Sequence, residues 1–180
     1  MALRPIYEAP DPVLRQISAP VEAFGSELDR LIDDLFDTMY AAPGIGLAAI
    51  QVGVAKRLLV IDLQEPAAEG EEPVRDPRVF VNPEILETSE TMAPYSEGCL
   101  SVPDHYADVL RPDSIRARWQ ERDGKVREEA IDGLLAICLQ HEIDHLNGIL
   151  FIDHLSRLKR EMILKKLLKA RREAGAAKAA

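Results

Sequence analysis

From Ile131 to Gly148 the chain reads IDGLLAICLQHEIDHLNG, and this stretch decides what can be built around it. Between about Ile131 and Leu146 the apolar residues Leu134, Leu135, Ile137, Cys138, Leu139 and Ile143 nearly encircle a helix, which Asn147-Gly148 would end in a left-handed C-cap. A helix apolar on most sides belongs in an interior, so other elements must cover it. Upstream, RLLVIDL reads as a buried strand, and RVFVN, EILET and SIRARWQ as further strands, with turn signals at Asn82-Pro83, Arg111-Pro112 and Asp123-Gly124. The expected class is α+β: mainly antiparallel strands around the buried H-E-x-x-H helix, followed by a C-terminal helix.

The remaining segments fit this frame. Ser26 is placed as the N-cap of a helix to about Tyr40, with Leu28, Leu31, Leu35 and Met39 on one face. A glycine- and alanine-rich run, APGIGLAAIQVG, follows it, and the acidic stretch from Glu65 to Pro77 reads as a surface loop. Ser156 can cap a last helix through about Arg172, with Leu158, Met162, Leu167 and Leu168 for one side, while AGAAKAA at the end is expected to fray. With 180 residues, no repeat and no long linker, a single domain over 1–180 is expected.

Composition excludes some functions. No apolar run approaches the roughly 20 residues of a membrane span, and MALRPIYEAPDPVLR lacks the apolar core of a signal peptide, so a cytoplasmic protein without membrane attachment is expected. Cys99 and Cys138 then read as free thiols or metal ligands rather than a disulfide. From Arg157 onward nine Lys/Arg stand against Glu161 and Glu173, a net +7, which leaves −16 on the rest of a chain whose total is −9. An acidic body argues against DNA as a partner, whereas the basic segment 157–180 suits an anionic partner such as RNA or, equally, a solvated helix face.

His141 and His145, four apart on a helix, place two imidazoles on one face within reach of one metal ion, and Glu142 can address a water there. Two histidines and a glutamate in a buried helix would be costly without a charge partner. A catalytic metal needs a third ligand and an open position. The metzincin pattern H-E-x-x-H-x-x-G-x-x-H is matched as far as Gly148, but its last histidine falls on Phe151. His154 and Glu161 lie downstream and read more simply as surface residues; Cys99, in EGCLS, is flanked by small residues that let a thiolate face a cleft. One thiolate with two imidazoles suits Zn2+, Fe2+, Co2+ or Ni2+. His105 and His154 are otherwise read as ordinary surface histidines, and Cys138 as a small buried apolar side chain.

Three separated motifs, GIGLAAIQ (44–51), EGCLS (97–101) and QHEIDHLNG (140–148), together with PDPVLR (10–15), resemble the peptide deformylase family over roughly residues 5 to 160. The resemblance implies a hydrolase that removes the formyl group from the N-terminal formyl-methionine of nascent proteins and releases formate. It implies Cys99, His141 and His145 as ligands of one divalent metal ion, natively Fe2+, with Zn2+, Ni2+ or Co2+ also accommodated. Glu142 would be the general acid/base, and Gln51 with the backbone N–H of Leu100 the oxyanion donors.

By the same resemblance, Ile45, Glu97, Leu134, Ile137, Cys138 and His141 would surround the methionine side chain. Gly44, Ile45, Gly46, Glu97 and Gly98 can also offer backbone groups to an extended peptide. Tyr95 departs from the small aliphatic residue of some relatives, and Tyr106 stands where some have arginine. The basic last helix resembles an extension that docks on the ribosome. The alternatives are a zincin-type metalloprotease with a third ligand downstream, and a non-catalytic metal-binding module in which Glu142 only orients a histidine.

Overall fold

The computed structural model describes residues 2–66 and 74–178. After a 3-10 turn at Pro12–Arg15 come α1 (Ser26–Ala41), β1 (Gly46–Ala48), a second 3-10 turn (Ala49–Val52), β2 (Leu58–Ile61), β3 (Arg78–Thr88), β4 (Met92–Cys99) and β5 (Val102–Pro112). Then follow β6 (Ser114–Gln120), β7 (Val126–Asp132), α2 (Gly133–Leu146), a third 3-10 turn (Phe151–His154) and α3 (Arg157–Lys178). These strands pair antiparallel throughout, in a five-stranded sheet of order β1-β2-β3-β6-β7 and a separate two-stranded ribbon of β4 and β5. The class is α+β in one domain, with α2 buried at its centre.

The alternation of β2 shows how the layers arise. Its four residues are fully buried because both faces of the strand are covered by helices. Leu59 and Ile61 join Leu139, Ile143 and Leu146 of α2, whereas Leu58 and Val60 join Leu31, Ile32, Leu35 and Met39 of α1. In β6 only one face is covered: Ile115, Ala117 and Trp119 turn inward, Trp119 lying 4.8 Å from Phe80 by ring centroids. Arg116 and Arg118 turn outward to Glu87, Glu128 and Glu84. A third core, formed by Leu14, Val102, Val109, Leu150, Phe151, Ile152 and Leu167, seats the ribbon against the end of the chain.

The expected turn at Asn82-Pro83 is a bulge within one continuous β3. Asn82 takes φ 51°, a left-handed conformation that asparagine tolerates, and the register slips between Val81 and Glu84. Its amide holds that geometry by bonding both backbone groups of Val21 and the side chain of Gln120. Arg111-Pro112 ends β5 just before the reversal, and Asp123-Gly124 turns as expected, with Gly124 at φ 83°.

Ser26 is the first residue of α1 and Gly25 its cap, and α2 starts at Gly133 because Ile131 is still paired in β7. β1, β4, β5 and β7 carry no clean apolar alternation and were not foreseen; β7 is exposed except at Ile131. α3 buries Leu167 with Ile163 and Leu164 beside it, whereas Leu158, Met162 and Leu168 are exposed. Ser156 Oγ accepts the Lys159 N–H as a cap would, at 3.4 Å. The tail expected to fray is helical through Lys178, residues 179–180 lying outside the described residues, as does 67–73 of the acidic loop.

Gly148 closes α2 at φ 73°, and a Cβ there would meet the Arg15 carbonyl oxygen at 2.7 Å, so the C-cap and the N-terminal segment both require glycine. Because Leu139 has no exposed surface and sits between α2 and the sheet, Leu139→Ala is expected to lower unfolding free energy by about 3 kcal/mol. Urea denaturation followed by circular dichroism checks this: the midpoint should fall with the slope unchanged.

Candidate metal centre and its cleft

His141 and His145 sit one turn apart on α2, their rings edge to face with centroids 5.0 Å apart. Cys99 reaches them from the end of β4. There the register with β5 slips, Gly98 pairing with Tyr106 but Cys99 with Val102, and the slip turns the thiol inward. Cys99 Sγ lies 3.2 Å from His145 Nε2, and one ligand atom from each of the three residues falls within 4.8 Å of the others. Tetrahedral coordination at ordinary metal–sulfur and metal–nitrogen distances separates such donors by about 3.3–3.6 Å, so the set fits one divalent ion and leaves a position open. Phe151, where the metzincin pattern requires histidine, is buried and stacks on the His141 ring at 6.2 Å. Glu161 bonds Arg157 and His154 bonds Asp144, so neither downstream candidate joins the cluster.

His141 is held by a buried polar frame, whereas His145 Nδ1 has no hydrogen-bond partner among the described residues. His141 Nδ1 is 2.8 Å from Glu97 Oε2, a contact that fixes Nδ1 as the protonated nitrogen and leaves Nε2 for a ligand. Glu97 also receives Nε and Nη2 of Arg111 at 2.5 and 3.0 Å. Burial alone would raise the Glu97 carboxyl, but the bonds from His141 and Arg111 outweigh it and hold the group at about 2. His145 is driven well below its ordinary value chiefly by burial, which keeps it neutral and able to ligate.

Glu142 is buried, and burial lifts its carboxyl to about 7 against the opposing pull of His141. Its Oε2 has no hydrogen-bond partner among the described residues, and Oε1 lies where a Cβ on Gly46 would have to go, at 2.5 Å. Glycine at 46 is therefore a steric necessity for this carboxylate. Gln51 lies in the second 3-10 turn. Its Oε1 accepts the Ala48 N–H at 2.8 Å, which aims Nε2 at Ser101 Oγ (3.1 Å) and Cys99 Sγ (3.6 Å).

These groups open on a cleft of about 540 Å³. Gly44, Ile45, Gly46, Gln51, Glu97, Gly98, Cys99, Leu100, Leu134, Ile137, Cys138, His141 and Glu142 all line it. Gly44 packs against Leu100, whose Cδ1 lies 2.8 Å from where a Cβ would be. β1 is the edge strand of its sheet and β4 belongs to a ribbon of two, and both contribute walls. Glu97 lines the cleft as expected, and its 3% exposed side chain is also held by Arg111 and His141. Pro43, Val102 and Asp104 line the cleft without having been singled out, as does His105, which bonds the Pro103 carbonyl at 2.7 Å. Arg111 and Asp144 were missed because their partners are distant in sequence and no local pattern marks them.

Residues 3–161 match the family model of polypeptide deformylase. The chain is 67% identical to a peptide deformylase of Zymomonas mobilis, over 96% of this chain and 97% of that one. It superposes on a crystal structure of a peptide deformylase from Legionella pneumophila with a TM-score of 0.85 at 47% identity, covering 97% and 98% of the two chains. A peptide deformylase from Ehrlichia chaffeensis in complex with actinonin gives a TM-score of 0.88 at 40% identity, covering 96% and 99%.

The geometry makes a claim that needs no substrate. Purified protein is expected to hold one equivalent of divalent metal by elemental analysis. Cys99→Ala and His145→Ala should each fall below about a tenth of that while keeping the far-ultraviolet circular dichroism of the parent.

Proposed function

Because the chain belongs to the polypeptide deformylase family, we propose that Cys99, His141 and His145 hold its metal ion and that Glu142 moves the proton of the reaction. The protein is a hydrolase that removes the formyl group from the N-terminal formyl-methionine of nascent peptides. The observation that carries the assignment of roles is the closure of one thiol and two imidazoles to within 4.8 Å beside a buried carboxylate with an unpartnered oxygen. A protease reading would need a downstream third ligand, and Phe151 fills that place.

A divalent ion at the three ligands supplies Lewis acidity, which lets water ionise near neutral pH. Glu142 takes the proton that the water loses as its oxygen adds to the formyl carbon, and returns it to the nitrogen as the C–N bond breaks, yielding formate and a free amine. Gln51 Nε2 and the Leu100 N–H donate to the formyl oxygen, where negative charge develops. Gly44 to Gly46 on one side and Glu97-Gly98 on the other bind the peptide backbone as an added strand does, which gives affinity without reading side chains. Ile45, Leu134, Ile137 and Cys138 surround the methionine side chain, whose flexible thioether suits an irregular apolar wall.

Fe2+ is the metal we assign to the native protein, on the family resemblance, with Zn2+, Ni2+ and Co2+ accommodated by the same donors. The chain acts as one deformylase unit over 1–180, in the cytoplasm, where nascent peptides are made. Its segment 157–180 carries a net +7, and within it Lys159, Lys165, Lys166, Lys169, Arg171 and Arg172 are exposed on α3, a charge suited to ribosomal RNA phosphates.

Metal-loaded protein should release formate from a formyl-methionyl peptide, and Glu142→Gln should lose about 100-fold or more in kcat while keeping its metal. Formate release by Glu142→Gln at the parent rate would remove Glu142 from its role. For the basic segment, co-sedimentation with ribosomes should fall several-fold when 157–180 is deleted and when salt is raised from 50 to 200 mM, the salts at which phosphate contacts weaken steeply. Equal pelleting with and without the segment would remove the contact.

A further inference from the structure

His154 was read as an ordinary surface histidine, yet it ends an unbroken chain of contacts that begins on a metal ligand. His154 Nε2 lies 2.8 Å from Asp144 Oδ2, and the same oxygen receives Arg111 Nη1 at 2.9 Å. Arg111 turns its Nε and Nη2 on Glu97, and Glu97 Oε2 meets His141 Nδ1. Side-chain exposure rises outward, from 3% at Glu97 and 5% at Arg111 to 18% at Asp144 and 36% at His154. The chain crosses four elements: β4, β5, α2 and the third 3-10 turn.

The guanidinium makes the links interdependent. It is a rigid planar fork, so its pose against Glu97 is tied to its pose against Asp144. Glu97 and Arg111 are walled in by the protein, but Asp144 stands nearer the solvent, where a short acidic side chain can leave its rotamer unless something holds it. The contact from His154 holds it. We propose that His154 is a positioning residue of the metal centre: by pinning Asp144 it seats the Arg111 fork on Glu97, and so fixes the ring of His141. The inference rests on His141 being a ligand, as proposed above.

Partners that orient a metal-bound histidine directly are worth about 10–100-fold in metal affinity, and His154 acts from further out and closer to water, so a smaller factor is expected. The test uses full-length protein loaded with Co2+, whose visible spectrum reports ligand geometry. The measurements are the rate of Co2+ release to excess chelator, the Co2+ spectrum, and KM with a formyl-methionyl peptide. His154→Ala should release Co2+ about 3- to 10-fold faster, with a shifted spectrum and an unchanged KM. His154→Gln, whose amide can donate to Asp144, should return to within about twofold of the parent.

Release at the parent rate from His154→Ala, or no recovery in His154→Gln, overturns the proposal. His141→Ala separates the two layers. Retention of Co2+ by that variant would sink the ligand assignment itself, whereas its loss of Co2+ beside a parent-like His154→Ala would sink only the positioning role.

Discussion

His141, Glu142 and His145 stand on a helix whose surroundings are otherwise Leu139, Ile143, Leu146 and the inner face of a sheet. Ionisable groups in such a place must be met by partners or stay neutral, because an unpaired buried charge costs on the order of several kcal/mol. The molecule answers with elements brought from elsewhere in the chain. Glu97 and Arg111 arrive on a ribbon that belongs to a different sheet, and Cys99 arrives at the end of the same ribbon. That one helix thus dictates where the ribbon must sit. Gly46 follows from the same demand, since any side chain there would displace the Glu142 carboxylate.

The buried helix, the strand RLLVIDL and the amphipathic α1 were legible because each is decided by its own periodicity. Leu28, Leu31, Leu35 and Met39 are all buried where a 3.6-residue repeat puts them. β4, β5 and β7 were not legible, since their burial is set by what packs across them; β5 alternates Tyr106, Asp108 and Leu110 outward with Val109 and Arg111 inward, a pattern no hydropathy rule selects. Asn82-Pro83 misled for a related reason. A left-handed asparagine marks a turn in isolation, but here its amide is tied to Val21 and Gln120, and the chain bends without reversing.

The site was more legible than the fold around it. Histidine spacing and the mismatch at Phe151 point upstream to Cys99, and the three ligand atoms do converge. What local pattern could not carry was the second layer. Arg111 looked like part of a turn signal, and the pairing of Glu97 with Arg111 and His141 went unseen, because the first contact spans 14 positions and the second 44. Such contacts are statements about topology, and they appear only once the ribbon has been docked against α2.

Cys99 and His145 lie 46 positions apart, on elements that share no sheet. An ion held by both closes that loop as a disulfide would, and so restricts the unfolded chain as well as filling the site. Unlike a disulfide, its strength would follow the free concentration of the ion, since above the dissociation constant stabilisation by a bound ligand grows with the logarithm of that concentration. The ribbon that walls the cleft would therefore be fastened more firmly as metal supply rises. Scarcity of the ion would loosen the shape of the cleft in the same event that removes its chemistry, so an emptied molecule would lose its grip on peptides instead of holding them unprocessed.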